Sequence, residues 1–172
     1  GAVGASFREG GTFLGSARYN AVVGDSSEAQ ALKVKALLNL RQLGISGLVV
    51  VGGDGSLTGA LALHEFLQQQ GSVYTELAGM PLQIVGLPGS IDNDIPCTDM
   101  AIGVDTTLNT IVDCIDKLRD TATSHKRVSI VEVMGRLRGY LAVMSGLATG
   151  ADHIFIREQP VGRRDLLDML GE

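Results

Sequence analysis

A parallel-sheet α/β sandwich is the fold class that the sequence predicts, and three observations predict it. Short apolar runs rich in Val and Ile alternate with helical patterns. The runs are near-continuous, as strands buried on both faces of a parallel sheet are. Loops rich in glycine and aspartate follow the first two runs, at the strand carboxyl ends where such sheets bind ligands.

The predicted strands are Leu48–Val51, Leu82–Val85, Val128–Val133 and His153–Ile156. Ser27 begins the clearest helix; Gln30, three residues on, completes a capping-box pattern. Leu32, Leu37, Leu40 and Leu43 give that helix an apolar side, and Gly44 is a natural stop. A second helix is expected from about Ser56 to about Gln70, with Gln68–Gln70, Gly71 and Ser72 reading as a solvated loop at its end. After Gly103, a third helix carries Leu108, Ile111, Val112, Ile115 and Leu118 on one stripe and Asp113, Asp116 and Asp120 opposite.

The 172 residues suit one ordinary domain, and 45% hydrophobic with 19% charged residues are globular values. With 23 glycines and only 4 prolines, the glycines fit tight turns better than a disordered tail. A net charge of −5 argues against a nucleic-acid or membrane-surface partner. The apolar runs fall well short of membrane-spanning length. Cys97 and Cys114 form neither a disulfide framework nor a metal cluster, which suits a reducing, cytoplasmic setting. Starting at Gly1 in mid-pattern, the chain is expected to lack its true amino terminus.

Gly52-Gly53-Asp54-Gly55-Ser56 opens the second helix, with Gly59 one turn in. Glycines let the backbone approach phosphate, and a helix amino terminus presents free N–H groups to it. The loop is neither a P-loop nor a regular dinucleotide fingerprint. Asp54 would repel phosphate unless a divalent ion such as Mg stood between them. Helix capping by Asp54 explains the loop equally well.

Leu87-Pro88-Gly89-Ser90-Ile91-Asp92-Asn93-Asp94 follows the second strand. If this loop is extended, Asp92 and Asp94 point the same way. One carboxylate can then serve a metal while the other takes a proton from an attacking hydroxyl. Taken alone, an acidic turn is the simpler reading; two such loops at one sheet edge favour a site. Among the basic residues, Arg18 lies in a glycine-punctuated loop, Arg127 precedes the third predicted strand, and Arg136 ends it. Arginine suits bidentate phosphate contact, and Arg136 is placed where sites are built. His64, His125 and His153 offer no identifiable catalytic pairing.

Taken in order, the stretches Gly10–Arg18, Gly52–Gly59, Gly86–Asp94, Thr98–Gly103, Ser124–Arg127 and Val131–Arg136 resemble the 6-phosphofructokinase family over nearly the whole chain. The Gly-Gly-Asp-Gly loop also occurs in NAD and lipid kinases, but its combination with Pro-Gly-Ser-Ile-Asp-Asn-Asp and Glu-Val-Met-Gly-Arg is specific. The resemblance implies a Rossmann-like three-layer sandwich, with parts of two similar α/β domains. Residues 1–103 would belong to the larger, ATP-binding domain and 104–172 to the smaller, sugar-phosphate and effector domain. It also implies transfer of a phosphoryl group from Mg-ATP to the 1-hydroxyl of fructose 6-phosphate.

By the same resemblance Asp92 is the general base, with Ser90 and Arg136 in the catalytic set, and Asp54 and Asp94 serve Mg. ATP would be met by Arg18, Tyr19, Gly53, Asp54, Gly55, Ser56 and Gly59. The sugar phosphate would be met by Ser90, Ile91, Asp92, Asp94, Arg127, Met134, Gly135 and Arg136. Arg127 would reach a neighbouring subunit's substrate in a homo-oligomer, expected to be a tetramer, and Arg119 and Glu158 would meet an allosteric nucleotide. Departures from the family are Cys97 where glycine is usual, Arg157 where proline is common, and Ser90 where threonine is usual.

The resemblance also implies a fragment without the first βαβ unit and the carboxyl-terminal half, and so inactive alone. A pyrophosphate-dependent relative and a non-catalytic sensing copy are the competing readings. Gly55 and Gly89 speak for ATP, because pyrophosphate users typically carry aspartate and lysine there.

Overall fold

The computed structural model of the chain describes residues 21–170, and Gly11 and Gly15 before them. The elements run α1 (Ser27–Gln42), β1 (Gly47–Gly52), α2 (Asp54–Gln70), β2 (Gln83–Pro88), α3 (Val104–His125), α4 (Tyr140–Thr149) and α5 (Arg163–Leu170). β1 and β2 pair in a two-stranded sheet. Its ends are marked by Gln83 N–H donating to Ser46 O and Gly89 N–H to Gly52 O, each at 2.9 Å. The same sequence offset at both ends makes the pair parallel, with α2 in the crossover. The fold is therefore α/β with a parallel sheet.

The residues group into two compact units. The first comprises the described residues up to Ser46 together with Leu61–Gln83. Here α1 buries Ala29, Lys33 and Leu37, which are four residues apart and so share one face. Lys33 is an unexpected member of that face. Its ammonium donates to Gly24 O at 2.6 Å and lies 5.6 Å from the Phe66 ring centre, so the charge is partnered as its stem is buried. Phe66, Leu67, Leu77 and Leu82 complete this core. Leu43, expected on the apolar side, is the C-cap of α1 and stands exposed; Gly44 follows with φ +68°, the left-handed stop that the sequence indicated. The cap at the other end is Ser26, whose Oγ accepts from Ala29 N–H at 3.1 Å. Gln30 reaches back to Asp25 O, so the capping box expected from Ser27 does not form.

The second unit comprises Gly47–Ala60 and the described residues from Ile84 onward. α2 starts two residues earlier than expected, at Asp54, and Gln68–Gln70 form its exposed last turn rather than a loop. Leu57 in its first turns faces β2 so closely that a Cβ at Gly86 would stand 2.9 Å from Leu57 Cδ2. α3 packs against α4, with Val104 and Leu141 fully buried. α4 was not foreseen. Its buried side holds Leu141, Ser145, Gly146 and Thr149, and both hydroxyls donate to carbonyls one turn back, Leu141 O at 2.6 Å and Ser145 O at 2.8 Å. Gly146 admits Ile154, whose Cδ1 would lie 2.7 Å from any Cβ there.

Two expected strands are corrected. Val128–Val133 has no regular structure, with Val128 78% and Ile130 82% exposed. His153–Ile156 yields only an isolated antiparallel bridge between Ile156 and Gln159. A strand exists only where a neighbour takes up its N–H and C=O groups, and among the described residues none does so here. The sheet faces differ from expectation for a related reason. Val49, Val51, Val85 and Leu87 are exposed, so β1 and β2 are covered on one face rather than on both.

Candidate active site

Gly53 is the joint between β1 and α2. Its carbonyl accepts from the N–H groups of Ser56 and Leu57, both at 3.1 Å, and starts the helix. By helix geometry the preceding amides have no intrahelical acceptor, and they form the positive end of the helix dipole. Asp54 and Gly55 stand exposed at that end. Gly52 cannot carry a side chain, since a Cβ would meet Ser56 Cβ and Oγ at 2.8 Å. A Cβ at Gly55 meets nothing within 4 Å, so the space over the loop is open. Gly59 is half-buried within α2. Arg18 and Tyr19 lie outside the described residues.

The second loop lies beside the first. A Cβ on Gly53 would be 3.8 Å from Gly89 O and from Ser90 Cβ. The loop is not extended, which corrects the alternation argument for its carboxylates. Ile91 and Asp92 form a turn, and Asn93 between the two aspartates is left-handed, with φ +50°. Ser90 Oγ donates to Asp94 Oδ1 at 2.9 Å and closes the turn. All five residues from Ser90 to Asp94 are half-buried. Asn93 was passed over in the motif. The available signal was its type, because asparagine is one of the few residues that readily accept φ > 0.

Cys97, where the resemblance expects glycine, has φ +59°. A Cβ in that region costs about 1–2 kcal/mol, part of which glycine gives back as unfolded-chain entropy. Cys97→Gly is therefore expected to raise stability by about 1 kcal/mol, or about 2–4 °C in melting temperature. A melting curve that is unchanged or shifted down would refute this account of the position.

The basic residues are placed by turns rather than strands. Lys126 caps α3 with φ +51°, and Arg127 N–H returns to Ala122 O at 2.9 Å, leaving the Arg127 side chain exposed. Met134 is 71% exposed. Gly135 has φ +138° and would put a Cβ 2.5 Å from Arg138 O, so only glycine fits. Arg136 lies in an exposed bend, not at a strand end. Its carbonyl accepts from Arg157 Nη1 at 2.8 Å. This gives the departure at Arg157 a structural use that proline could not supply.

Glu158 and Arg119 do not meet. Glu158 Oε1 accepts from Gly139 N–H at 2.8 Å, at the start of α4. Arg119 donates to Gly150 O at 3.0 Å, at its end. Ten helical residues, about 15 Å, separate the two contacts. The Gly139 N–H holds the Glu158 carboxyl below its ordinary value, helped by Glu158's own N–H and by the Arg138 and Arg157 charges. A lowered carboxyl stabilises the fold above its unfolded value and stops doing so as pH falls through the folded one. Glu158, Arg138, Gly139, Tyr140, Val143 and Ile156 share an open hollow of about 320 Å³ with Asn93. The aspartate loop and the segment after Arg136 thus converge.

Among the described residues no three His, Cys, Asp or Glu side chains cluster as a metal site. A divalent ion such as Mg needs only one or two carboxylates and completes its shell with phosphate and water. Asp54 stands exposed at the helix start, and Asp94 in the adjacent loop accepts from Ser90 Oγ at 2.9 Å.

The family model described as phosphofructokinase matches residues 2–172. The chain belongs to the phosphofructokinase family. This phosphofructokinase chain is 45% identical to the ATP-dependent 6-phosphofructokinase of Staphylococcus carnosus, over 99% of its own length and 48% of the relative's. It is 48% identical to the enzyme of that name from Thermotoga neapolitana, over 94% of its length and 45% of the relative's. It thus spans about half the length of the curated phosphofructokinases that it matches. Among solved structures, Pichia pastoris phosphofructokinase in the T-state superposes with TM-score 0.74 at 39% identity, covering 93% of this chain and 17% of that one. A pyrophosphate-dependent phosphofructokinase from Marinobacter aquaeolei superposes with TM-score 0.72 at 25% identity, covering 92% of this chain and 38% of that one.

Proposed function

We propose that this chain is part of an enzyme that transfers the terminal phosphoryl group of Mg-ATP to the 1-hydroxyl of fructose 6-phosphate. The observation that carries the reading is the contact between the two loops, with the position of a Cβ on Gly53 only 3.8 Å from Ser90 Cβ. A helix start suited to phosphate and a loop holding two carboxylates then lie side by side, as phosphoryl transfer requires. The names of the relatives support the same reading.

In this proposal Gly53–Ser56 and Gly59 cradle the nucleotide together with Arg18 and Tyr19. Asp54 and Asp94 hold Mg, which when bound offsets the charge of the phosphate oxygens. Asp92 accepts the proton of the 1-hydroxyl. Ser90, Ile91, Arg127, Met134 and Gly135 position the sugar phosphate, and Arg136 stabilises charge on the transferring group. The proposal assigns residues 1–103 to an ATP-binding domain and 104–172 to a sugar-phosphate domain. It places the enzyme in the cytoplasm as a homo-oligomer, a tetramer in its full length, in which Arg127 serves a neighbour's substrate. Among the described residues no helix is long and apolar enough to cross a membrane. The proposal also has Arg119 and Glu158 meet an allosteric nucleotide, from the two ends of α4 where their side chains are held.

Donor choice rests on Gly55 and Gly89. The open space over Gly55 can take a nucleotide's α-phosphate and ribose, and a carboxylate there would repel that phosphate. A Cβ on Gly89 would sit 3.4 Å from Val51 Cγ1 and 3.5 Å from Gly52 N, so a longer side chain there would border the glycine loop. With glycine at both, ATP is the expected donor. In the full-length protein, kcat/KM is expected to be higher with Mg-ATP than with Mg-pyrophosphate at saturating fructose 6-phosphate. The reverse order would overturn the donor; no turnover with either would overturn the function.

A further inference from the structure

We propose that Asn93 is a positioning residue for this reaction, whose side chain fixes the turn that presents Asp92 and Asp94. Three observations place it there. Its backbone is left-handed at φ +50°, so the chain reverses between the two aspartates. Its Oδ1 accepts from the buried Ala101 N–H at 2.9 Å, and its Nδ2 donates to Asp99 O at 3.2 Å. The segment it grips is itself anchored, because Ile102 N–H donates to Pro88 O at 2.9 Å, at the end of β2.

These bonds form a closed frame. Pro88 ends the strand, the chain passes through Ser90–Asp94, and the segment 99–102 returns to Pro88. Asn93 ties the middle of that loop to its return limb with both ends of one amide. The Ser90–Asp94 bond closes the turn from the opposite side. The main chain of Asp92 lies between these two clamps, so the frame sets where its side chain starts from. A proton acceptor must be held within hydrogen-bond reach of its hydroxyl, so a loosened frame lowers turnover even when every reacting group is present.

The inference rests on the proposed phosphoryl transfer, and its test separates the two. In the full-length protein, Asn93→Gly keeps the left-handed backbone and removes both side-chain bonds. Asn93→Asp keeps an acceptor for Ala101 N–H and the tolerance of positive φ. Turnover of fructose 6-phosphate with Mg-ATP is measured with both KM values and a melting curve for each. Asn93→Gly is expected to lower kcat about tenfold to a hundredfold, with the KM for Mg-ATP within about twofold and most of the protein still folded. Asn93→Asp is expected to keep more of the turnover than Asn93→Gly. A wild type without activity overturns the function and this inference together. With an active wild type, three results overturn the inference alone: an Asn93→Gly kcat within twofold of wild type, a loss of kcat matched by a loss of folded protein, or an Asn93→Asp variant no better than the glycine.

Discussion

Asp92→Ser in the full-length enzyme is expected to lower kcat by about two to four orders of magnitude while the KM for fructose 6-phosphate changes little. Removing a general base takes away an interaction made in the transition state, so the loss falls on kcat rather than on binding. Serine keeps a polar group in the half-buried turn but cannot accept the proton at neutral pH. The surrounding turn is held by Ser90 with Asp94 and by Asn93 with Ala101, and neither bond uses the Asp92 side chain. The fold should therefore survive, and a melting curve close to wild type is part of the expected result. A kcat within threefold of wild type would remove Asp92 from the base role.

Arg136→Ser is expected to lower kcat by about two to three orders of magnitude, the range seen when one donor to a developing charge is removed. The KM for ATP should stay near its wild-type value. The Arg136 main chain is held independently of its side chain, through its carbonyl to Arg157 and by the glycine-only geometry of Gly135. Substitution should thus remove the guanidinium without moving the backbone. If ATP affinity fell while kcat held, Arg136 would belong to the nucleotide subsite.

The sequence was readable wherever the signal was local. The apolar stripe from Leu108 to Leu118 marked α3, and Gly44 stopped α1, because helical period and the conformational freedom of glycine act over a few residues. The glycine and aspartate loops were readable for the same reason. What was misread depended on partners. Val128–Val133 has strand composition but no neighbouring strand among the described residues to complete its hydrogen bonds. α4 escaped notice because its buried side mixes Leu141 with Ser145, Gly146 and Thr149 and so shows no apolar stripe. Lys33 is buried because Gly24 and Phe66 receive it, which spacing alone does not reveal. The reversal at Asn93 hid in the same way, since a motif read as a string does not show a change in the sign of φ.

The parallel pairing of β1 with β2 carries a kinetic consequence. Antiparallel neighbours can zip from a short hairpin, but these two strands meet only after the chain has travelled through α2 and the turns that follow it. The entropy of closing that long connection is lost before any ladder bond is gained. The backbone bonds of α2, by contrast, close over a few residues each. The Gly89 to Gly52 bond, and with it the contact of the glycine loop with the aspartate loop, carries that closure cost. The proposed site thus rests on a contact between residues 37 apart in sequence, Gly52 and Gly89.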